Sequence, residues 1–189
     1  MNFTVVDIET TGLSAYYHKI TEIAALKYKD GKIVRNFSTL INPKVHISRF
    51  ITRLTGIDNK MVKNKPTIDK VIPKFHSFIG DSPFVAHNAG FDYKFLDYAL
   101  EKNMGVNLGN QKICTVRLAR RLLPELPNKK LSSLCEHFKI RNDDAHRARS
   151  DAMVTAKIFH SFLDMMEEKE IHHIEDILKF QKSRIPKVL

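Results

Sequence analysis

DIETTGL, residues 7–13, ends the first apolar run of the chain. Asp7 and Glu9 are two positions apart, and residues i and i+2 of a β-strand point to the same face of a sheet. The pattern therefore predicts two adjacent carboxylates where the first strand gives way to the Thr11-Gly12 turn. Adjacent like charges are costly unless a cation neutralises them, and Mg²⁺ or Mn²⁺ prefers such oxygen ligands. The same D-x-E pattern is also compatible with a solvated sheet edge.

Composition favours one globular domain with a polyanionic partner. The chain has 189 residues, and 31 basic against 21 acidic side chains give it a net charge of +10. Such a surplus is typical of nucleic-acid binding, although a generic basic surface would also produce it. Cys114 and Cys135 lack CxxC spacing, so we expect ordinary buried thiols. Neither a signal peptide nor a membrane-spanning run is recognisable, so we expect a cytoplasmic protein without a membrane partner.

Strands are expected early in the chain and helices later. The predicted strands are 2–8, 20–28, 33–41 and 83–87, with a hairpin turn at Asp30-Gly31. The predicted helices are 48–54, Thr67 to Gly80, one from about Asp92, 115–123, one around 131–138, and 147–168. This order predicts an α/β domain with a mixed sheet over residues 1–168. Residues 169–189 are expected to be a C-terminal extension, either a last helix or a segment that orders on a partner.

Two later stretches add acidic side chains and a histidine. HNAGFDYKFL, residues 87–96, places Asp92 near a helix start, where it can be an N-cap or part of a site. AHRARSDAMVTA, residues 145–156, places Asp151 beside the buried stripe of a helix, where a carboxylate needs a partner or a metal. His146 would lie about 140° from Asp151 on a regular helix, so we expect it in the loop or first turn before the helix.

In order and spacing, these residues resemble the DEDDh family of 3′–5′ exonucleases, which includes bacterial proofreading exonucleases, ribonuclease T and oligoribonuclease. The likeness extends over residues 3–166 and covers the three motifs of the family: Asp7 and Glu9, then Asp92, then His146 and Asp151. LTGI at 54–57 and LARRLLP at 118–124 also look like the bacterial proofreading members. The resemblance implies a ribonuclease H-like fold, with a mixed five-stranded sheet and helices on both faces.

The resemblance also implies a mechanism and a substrate. The four carboxylates would hold two Mg²⁺ or Mn²⁺ ions, with Asp7 shared between them. His146 would be the general base of a hydrolysis that releases nucleoside 5′-monophosphates from a 3′ end. Single-stranded DNA is the expected substrate, RNA trimming is the alternative, and the short tail leaves a polymerase partner in doubt. Six positions are expected to bind the terminal nucleotides: Thr10, Thr11, Leu13, His87, Asn88 and Phe91.

Basic side chains near these motifs are candidates for contacts with the phosphate backbone: Arg120, Arg121, Lys129, Lys130, Arg147 and Arg149. Two other classes of protein share part of this pattern. A haloacid-dehalogenase-type phosphatase also begins at an aspartate after its first strand, but it needs D-x-D-x-T, and Glu9 departs from that pattern. A nucleic-acid-binding module with a dead site would lack one of the five motif residues, and all five are present.

Overall fold

A five-stranded mixed sheet forms the centre of the molecule, a computed structural model that describes residues 1–142 and 144–186. The strands are β1 (Asn2–Thr10), β2 (Ile20–Lys29), β3 (Lys32–Leu40), β4 (Phe84–Ala86) and β5 (Lys112–Cys114). Their order across the sheet is β3-β2-β1-β4-β5. The pairs β1/β2 and β2/β3 are antiparallel, whereas β1/β4 and β4/β5 are parallel. This confirms the predicted ribonuclease H-like sheet and puts β1 in its middle.

Helices cover both faces of the sheet, as predicted. In the described residues they are α1 (Arg49–Thr55), α2 (Asn59–Val62), α3 (Ile68–Ile79), α4 (Gly90–Met104), α5 (Thr115–Leu122), α6 (Leu131–His137), α7 (Ala148–Glu167) and α8 (Ile174–Phe180). α5 to α8 share one buried cluster with the sheet, and α3 and α4 share the other. α1 and α2 enclose a small third cluster that includes Ile47 and Ile57. None of these helices is both long enough and apolar enough to span a bilayer.

β1 divides its side chains between the two helical layers. Phe3 belongs to the core that includes α7, and Ile8 belongs to the core that includes α4. Asp7 and Glu9 are an even number of positions from Phe3, so they point to the α7 side of the sheet. The alternation that builds the core thus also directs both carboxylates towards the same helix.

Several boundaries differ from the sequence prediction. The sequence did not locate β5, the fifth strand implied by the resemblance, and it did not predict α2, because three or four residues carry too little periodic pattern to be recognised. α4 begins at Gly90 rather than near Asp92. The open question about the tail is answered for 174–180, which form α8. Cys114 and Cys135 are both buried and free, as expected.

Candidate active site

Three carboxylates meet at the carboxyl end of β1. Asp7, Glu9 and Asp151 each offer an oxygen, and these atoms lie within 4.8 Å of one another. β1 carries Asp7 and Glu9, while the first turn of α7 carries Asp151 on the same side of the sheet. Clustered carboxylate oxygens are the donors that Mg²⁺ and Mn²⁺ prefer. The structure therefore brings together three of the four predicted metal ligands in a set that fits such a cation.

Burial and repulsion between carboxylates raise the pKa values of Asp7 and Glu9, and burial raises the pKa of Asp92. Burial, followed by the charge of Asp92, raises the pKa of Asp7 well above its ordinary value. Burial and the nearby Asp151 raise the pKa of Glu9 to about 8. Burial raises the pKa of Asp92 to about 7, against backbone hydrogen bonds that favour its ionised form. A divalent cation would favour all the ionised forms, which is a second reason why the cluster fits a metal.

Asp92 reaches this region from the other helical layer. It lies in the first turn of α4, is 4% exposed, and accepts a hydrogen bond from the Ile8 N–H at 3.1 Å. α4 has no side-chain N-cap, so the N-cap interpretation of Asp92 is wrong. The carboxylate is tied instead to the backbone of β1, between Asp7 and Glu9.

His146 lies in a turn just before α7, as predicted from its spacing to Asp151. Its side chain is exposed and lines a cleft, while its N–H donates to Asp151 Oδ2 at 3.0 Å. Its φ of +63° is in the left-handed region, which is uncommon for a residue with a Cβ. The turn thus holds the backbone of His146 in a strained conformation beside a carboxylate of the cluster.

Asn142 is a site residue that the sequence analysis missed. Its Nδ2 donates to Asp151 Oδ1 at 2.7 Å, and its Oδ1 accepts from the Ser150 hydroxyl at 2.7 Å. Both oxygens of Asp151 are therefore fixed, one by Asn142 and one by the His146 N–H. An asparagine in a polar loop looks like an ordinary turn residue, so its sequence carried no signal of this contact.

Glu22 is a second residue that was missed. It lies opposite Glu9 in the β1/β2 ladder and is 3% exposed. The Arg147 guanidinium donates to both of its oxygens, at 2.9 and 3.2 Å, and the Ala148 N–H donates at 3.0 Å. Arg147 therefore pairs with a carboxylate of this chain, contrary to the expected phosphate contact. A lone glutamate inside the apolar segment 20–28 was the available signal, because a buried carboxylate needs a partner.

The predicted nucleotide-binding residues at the end of β1 and on the loop after it have different surroundings. The Thr10 hydroxyl donates to the Gly12 carbonyl at 2.6 Å, and the Lys19 N–H donates to Thr11 Oγ1 at 3.0 Å. Both threonines therefore fix the shape of the loop. Leu13 is 87% exposed, so its side chain does not pack in the core.

The predicted residues after β4 lie beside the cleft or the core. His87 Nδ1 is 2.9 Å from Thr115 Oγ1, and burial lowers the pKa of His87 to about 4, so its imidazole is neutral at pH 7. Asn88 is exposed with a φ of +60°. Phe91 is half-buried and packs on Phe95, with ring centroids 4.9 Å apart. His87 and Asn88 both line the cleft that holds His146.

This cleft has a volume of about 1130 Å³ and a basic wall. Asp151 and His146 lie on one side of it, and Arg120, Lys129 and Lys130 are among its other lining residues. A concave surface that combines a metal-type carboxylate cluster with cations suits a substrate carrying phosphate groups. The arrangement is chemically suited to phosphodiester hydrolysis.

The chain belongs to the RNase_T exonuclease family, whose model matches residues 4–159. It is therefore a nuclease that hydrolyses phosphodiester bonds. The matched segment includes β1, α4 and the first turns of α7, which are the elements that carry the carboxylates.

Two curated relatives are DNA polymerase III PolC-type proteins. That of Clostridium perfringens is 48% identical over 176 residues, and that of Caldanaerobacter subterraneus is 45% identical over 175 residues. Each match includes 93% of this chain but 12% of the relative, so the chain spans about an eighth of their length. The whole activity and the partners of those proteins are thus not transferred to this chain.

Solved structures show the same fold. Exonuclease X in complex with 5′-overhanging duplex DNA is 31% identical with a TM-score of 0.75, covering 95% of this chain and 99% of its own. E. coli Exonuclease I in complex with a dT13 oligonucleotide has a TM-score of 0.79 at 17% identity, covering 94% of this chain and 45% of its own. The second likeness establishes the fold alone.

Proposed function

We propose that this chain is a divalent-metal-dependent 3′–5′ exonuclease that shortens single-stranded DNA and releases nucleoside 5′-monophosphates. The observation that carries the proposal is the cluster of Asp7, Glu9 and Asp151 beside a basic, open cleft. The PolC-type relatives and the DNA-bound Exonuclease X support DNA as the substrate. RNA trimming is the alternative, and it predicts that a matched RNA strand is the faster substrate.

In this proposal Asp7, Glu9 and Asp151 would hold one Mg²⁺ or Mn²⁺ ion, and Asp7 with Asp92 would hold a second. Such ions, when bound, neutralise charge on phosphoryl oxygens and lower the pKa of water. The chain supplies fixed positions for the ligands, because the Ile8 N–H holds Asp92 on the backbone of β1. Ordered ligands lose little freedom when a cation binds.

His146 is proposed as the general base that accepts a proton from the attacking water. Its imidazole is exposed in the cleft, and its backbone is anchored to Asp151. Histidine is the side chain that most often serves as a general base in enzymes. His87, held neutral by burial, and Asn88 are proposed to contact the terminal nucleotide by hydrogen bonds.

The remaining substrate contacts are proposed around the same end of β1. The backbone of Thr10 and Thr11 would meet the terminal nucleotide, and the exposed Leu13 would pack against a base. Phe91, which is half-buried on Phe95, would offer its free edge to a base. An association with a replicative polymerase is proposed because the PolC-type relatives carry this segment, and co-migration with that polymerase in gel filtration tests it.

The test uses a single-stranded oligonucleotide labelled at either end, as DNA and as RNA, with and without Mg²⁺ or Mn²⁺. Metal-dependent, stepwise shortening from the 3′ end is the expected result. Asp7→Ala should abolish hydrolysis while the melting temperature stays the same or rises, because the substitution removes like-charge repulsion. Asp81→Ala, an exposed aspartate in a turn, is the matched control and should cleave normally.

Two results would contradict the proposal. Absence of degradation with any metal would mean that the carboxylates do not form a working site, and a nucleic-acid-binding module would then be the better description. Normal cleavage by Asp7→Ala would remove the cluster from the mechanism.

A further inference from the structure

The loop between β1 and β2 exposes large side chains although it is firmly held. Leu13, Tyr16 and Tyr17 are 87%, 57% and 85% exposed. The N–H groups of Tyr17 and His18 donate to the Ser14 carbonyl, and the Ser14 N–H donates to His18 Nδ1 at 3.2 Å. An ordered loop that keeps apolar and aromatic side chains in water is the arrangement expected of a pre-formed binding surface.

Gly12 shows how closely this loop is packed. A Cβ at position 12 would lie 2.2 Å from an atom of the His18 ring, so any larger residue there would have to displace that ring. The base of the loop is closed twice, since the Thr11 N–H donates to the Lys19 carbonyl at 2.8 Å and the Lys19 N–H donates to Thr11 Oγ1. The exposed tyrosines are therefore presented from a fixed backbone.

α4 continues this surface with a stripe of its own. Lys94, Tyr98 and Lys102 are four positions apart and thus lie along one side of the helix. Tyr16 packs edge-on against Tyr98, with centroids 5.0 Å apart, and Lys94 Nζ lies 4.9 Å from the Tyr16 centroid. Lys102 Nζ lies 5.6 Å from the Tyr98 centroid. We call these four residues together with Tyr17 the tyrosine–lysine surface.

A groove of about 620 Å³ runs beside the tyrosine–lysine surface. Tyr98 and Lys102 contribute to its wall, and Lys19 and Lys44 add two further cations, against one carboxylate, that of Asp69. The excess of positive charge favours a polyanion as the occupant. Exposed aromatic rings beside lysines are typical of surfaces on which single-stranded nucleic acid stacks its bases and places its phosphates.

α4 also links this surface to the candidate active site. Asp92 lies in the first turn of the helix, and Tyr98 and Lys102 follow six and ten residues later, about 9 and 15 Å along the axis. A nucleotide at the carboxylate cluster does not extend over that distance. The nucleotides that precede it in the same strand are long enough to reach this surface.

We propose that the tyrosine–lysine surface binds the part of a nucleic-acid strand that precedes the nucleotides held at the cluster. Bases stack on Tyr16 and Tyr17, and phosphates contact Lys94 and Lys102. This inference rests on the proposed exonuclease function, and it adds a preference for long strands over dinucleotides. It also assigns a role to Tyr16 and Tyr17, two exposed side chains that the core does not use.

The test compares hydrolysis of a dinucleotide and of a DNA strand of about twelve nucleotides, which exceeds the smallest single-strand binding sites. The variants are Tyr17→Ala and the double variant Lys94→Gln/Lys102→Gln. Each should raise KM for the long strand about tenfold, with kcat and dinucleotide hydrolysis unchanged. The lysine variant should also show a shallower salt dependence of binding. Lys157→Gln/Lys179→Gln, two exposed lysines on α7 and α8, is the matched control.

Binding is measured separately from cleavage. The same substitutions, placed in the Asp7→Ala background, are titrated with the fluorescent long strand and followed by anisotropy. Weaker binding than in Asp7→Ala alone supports the surface even if no hydrolysis is detected in any variant. Unchanged KM and unchanged affinity would overturn the assignment and leave the surface to a protein partner. Failure of the wild-type protein to cleave either substrate would count against the exonuclease proposal, not against this one.

Discussion

His146 combines a fixed backbone with an exposed imidazole. Its backbone N–H donates a hydrogen bond to Asp151, and its side chain lines the cleft. If it is the general base, His146→Ala should slow hydrolysis by roughly 10²- to 10⁴-fold, with little change in KM or in the metal concentration needed. Single-turnover kinetics measure this directly, and His172→Ala, an exposed histidine before α8, is the control. An unchanged rate would remove His146 from the mechanism.

Glu9 makes the stability of the metal-free protein depend on pH. Burial and Asp151 raise its pKa from 4.5 to about 8, so between these values the folded state keeps a proton that the unfolded state releases. The stability of the metal-free protein should therefore fall as pH rises from about 4.5 to about 8. Glu9→Gln should reduce this fall, because it removes one of the groups responsible.

Thermal melts across that pH range, in the presence of a chelator, measure the effect. At pH 8, added Mg²⁺ or Mn²⁺ should raise the melting temperature of the wild type more than that of Glu9→Gln, since the ion binds the ionised carboxylates. If the stability of the two proteins fell equally with pH, the pKa of Glu9 would not be raised in the folded state.

At the scale of elements, long periodic segments were predictable and short or tertiary features were not. β1, β2 and β3 lie close to the three segments predicted as strands, and the motif residues fell on the elements predicted to carry them. β5 has three residues and owes its existence to pairing with β4, which the local sequence does not encode. Glu22 was missed because its partner Arg147 lies 125 residues further along the chain. Asn142 was missed because its contacts with Ser150 and Asp151 depend on how the loop before α7 folds.

β2 and α7 are joined by the pair of Glu22 and Arg147. The first turn of α7 carries Asp151, and the turn before it carries His146, so this link fixes two site residues relative to β1. Glu22→Gln keeps the shape but removes the charge that accepts from Arg147 and the Ala148 N–H. We expect a loss of about 1–3 kcal/mol in unfolding free energy, since a nearly buried charged hydrogen bond is weakened.

The same variant separates a positioning role from a purely structural one. kcat should fall several-fold at a temperature where the variant is fully folded, while KM for a dinucleotide changes little. Arg147→Lys should also cleave more slowly than the wild type, because an ammonium does not reproduce the two-point contact of a guanidinium. Glu136→Gln, an exposed glutamate on α6, is the control. A normal kcat in Glu22→Gln would limit the pair to stability.

At the scale of the whole molecule, the fold class was predictable because few sheet topologies are compatible with this order of strands and helices. The resemblance of the motifs supplied the fifth strand and the two helical layers. The relation of the tail to the domain was not predictable in this way. The division into an exonuclease domain, 1–168, and a C-terminal extension, 169–189, stays a prediction. It can be tested through the contacts that α8 and the residues after it make with the domain.

Gln181 joins the segment after α8 to the edge strand β5. Its Oε1 accepts from the Cys114 N–H at 2.9 Å and its Nε2 donates to the Lys112 carbonyl at 2.8 Å, while Ile177 is fully buried. Gln181→Ala leaves both backbone groups of β5 without these partners, so it should lower the unfolding free energy by about 1–3 kcal/mol. Deleting 169–189 should cost more, because it also exposes the core that Ile177 covers.

Denaturant titration of the two variants beside Gln111→Ala, an exposed glutamine before β5, measures both effects. If the protein truncated after Glu168 were as stable as the full chain, the tail would be a separate extension, and the contacts of Gln181 would be too weak to matter. A stability loss larger in the truncation than in Gln181→Ala would instead place α8 within the exonuclease domain. Because β5 borders the strand that leads into His87 and Asn88, the destabilised edge should also lower activity at temperatures where the domain is still folded.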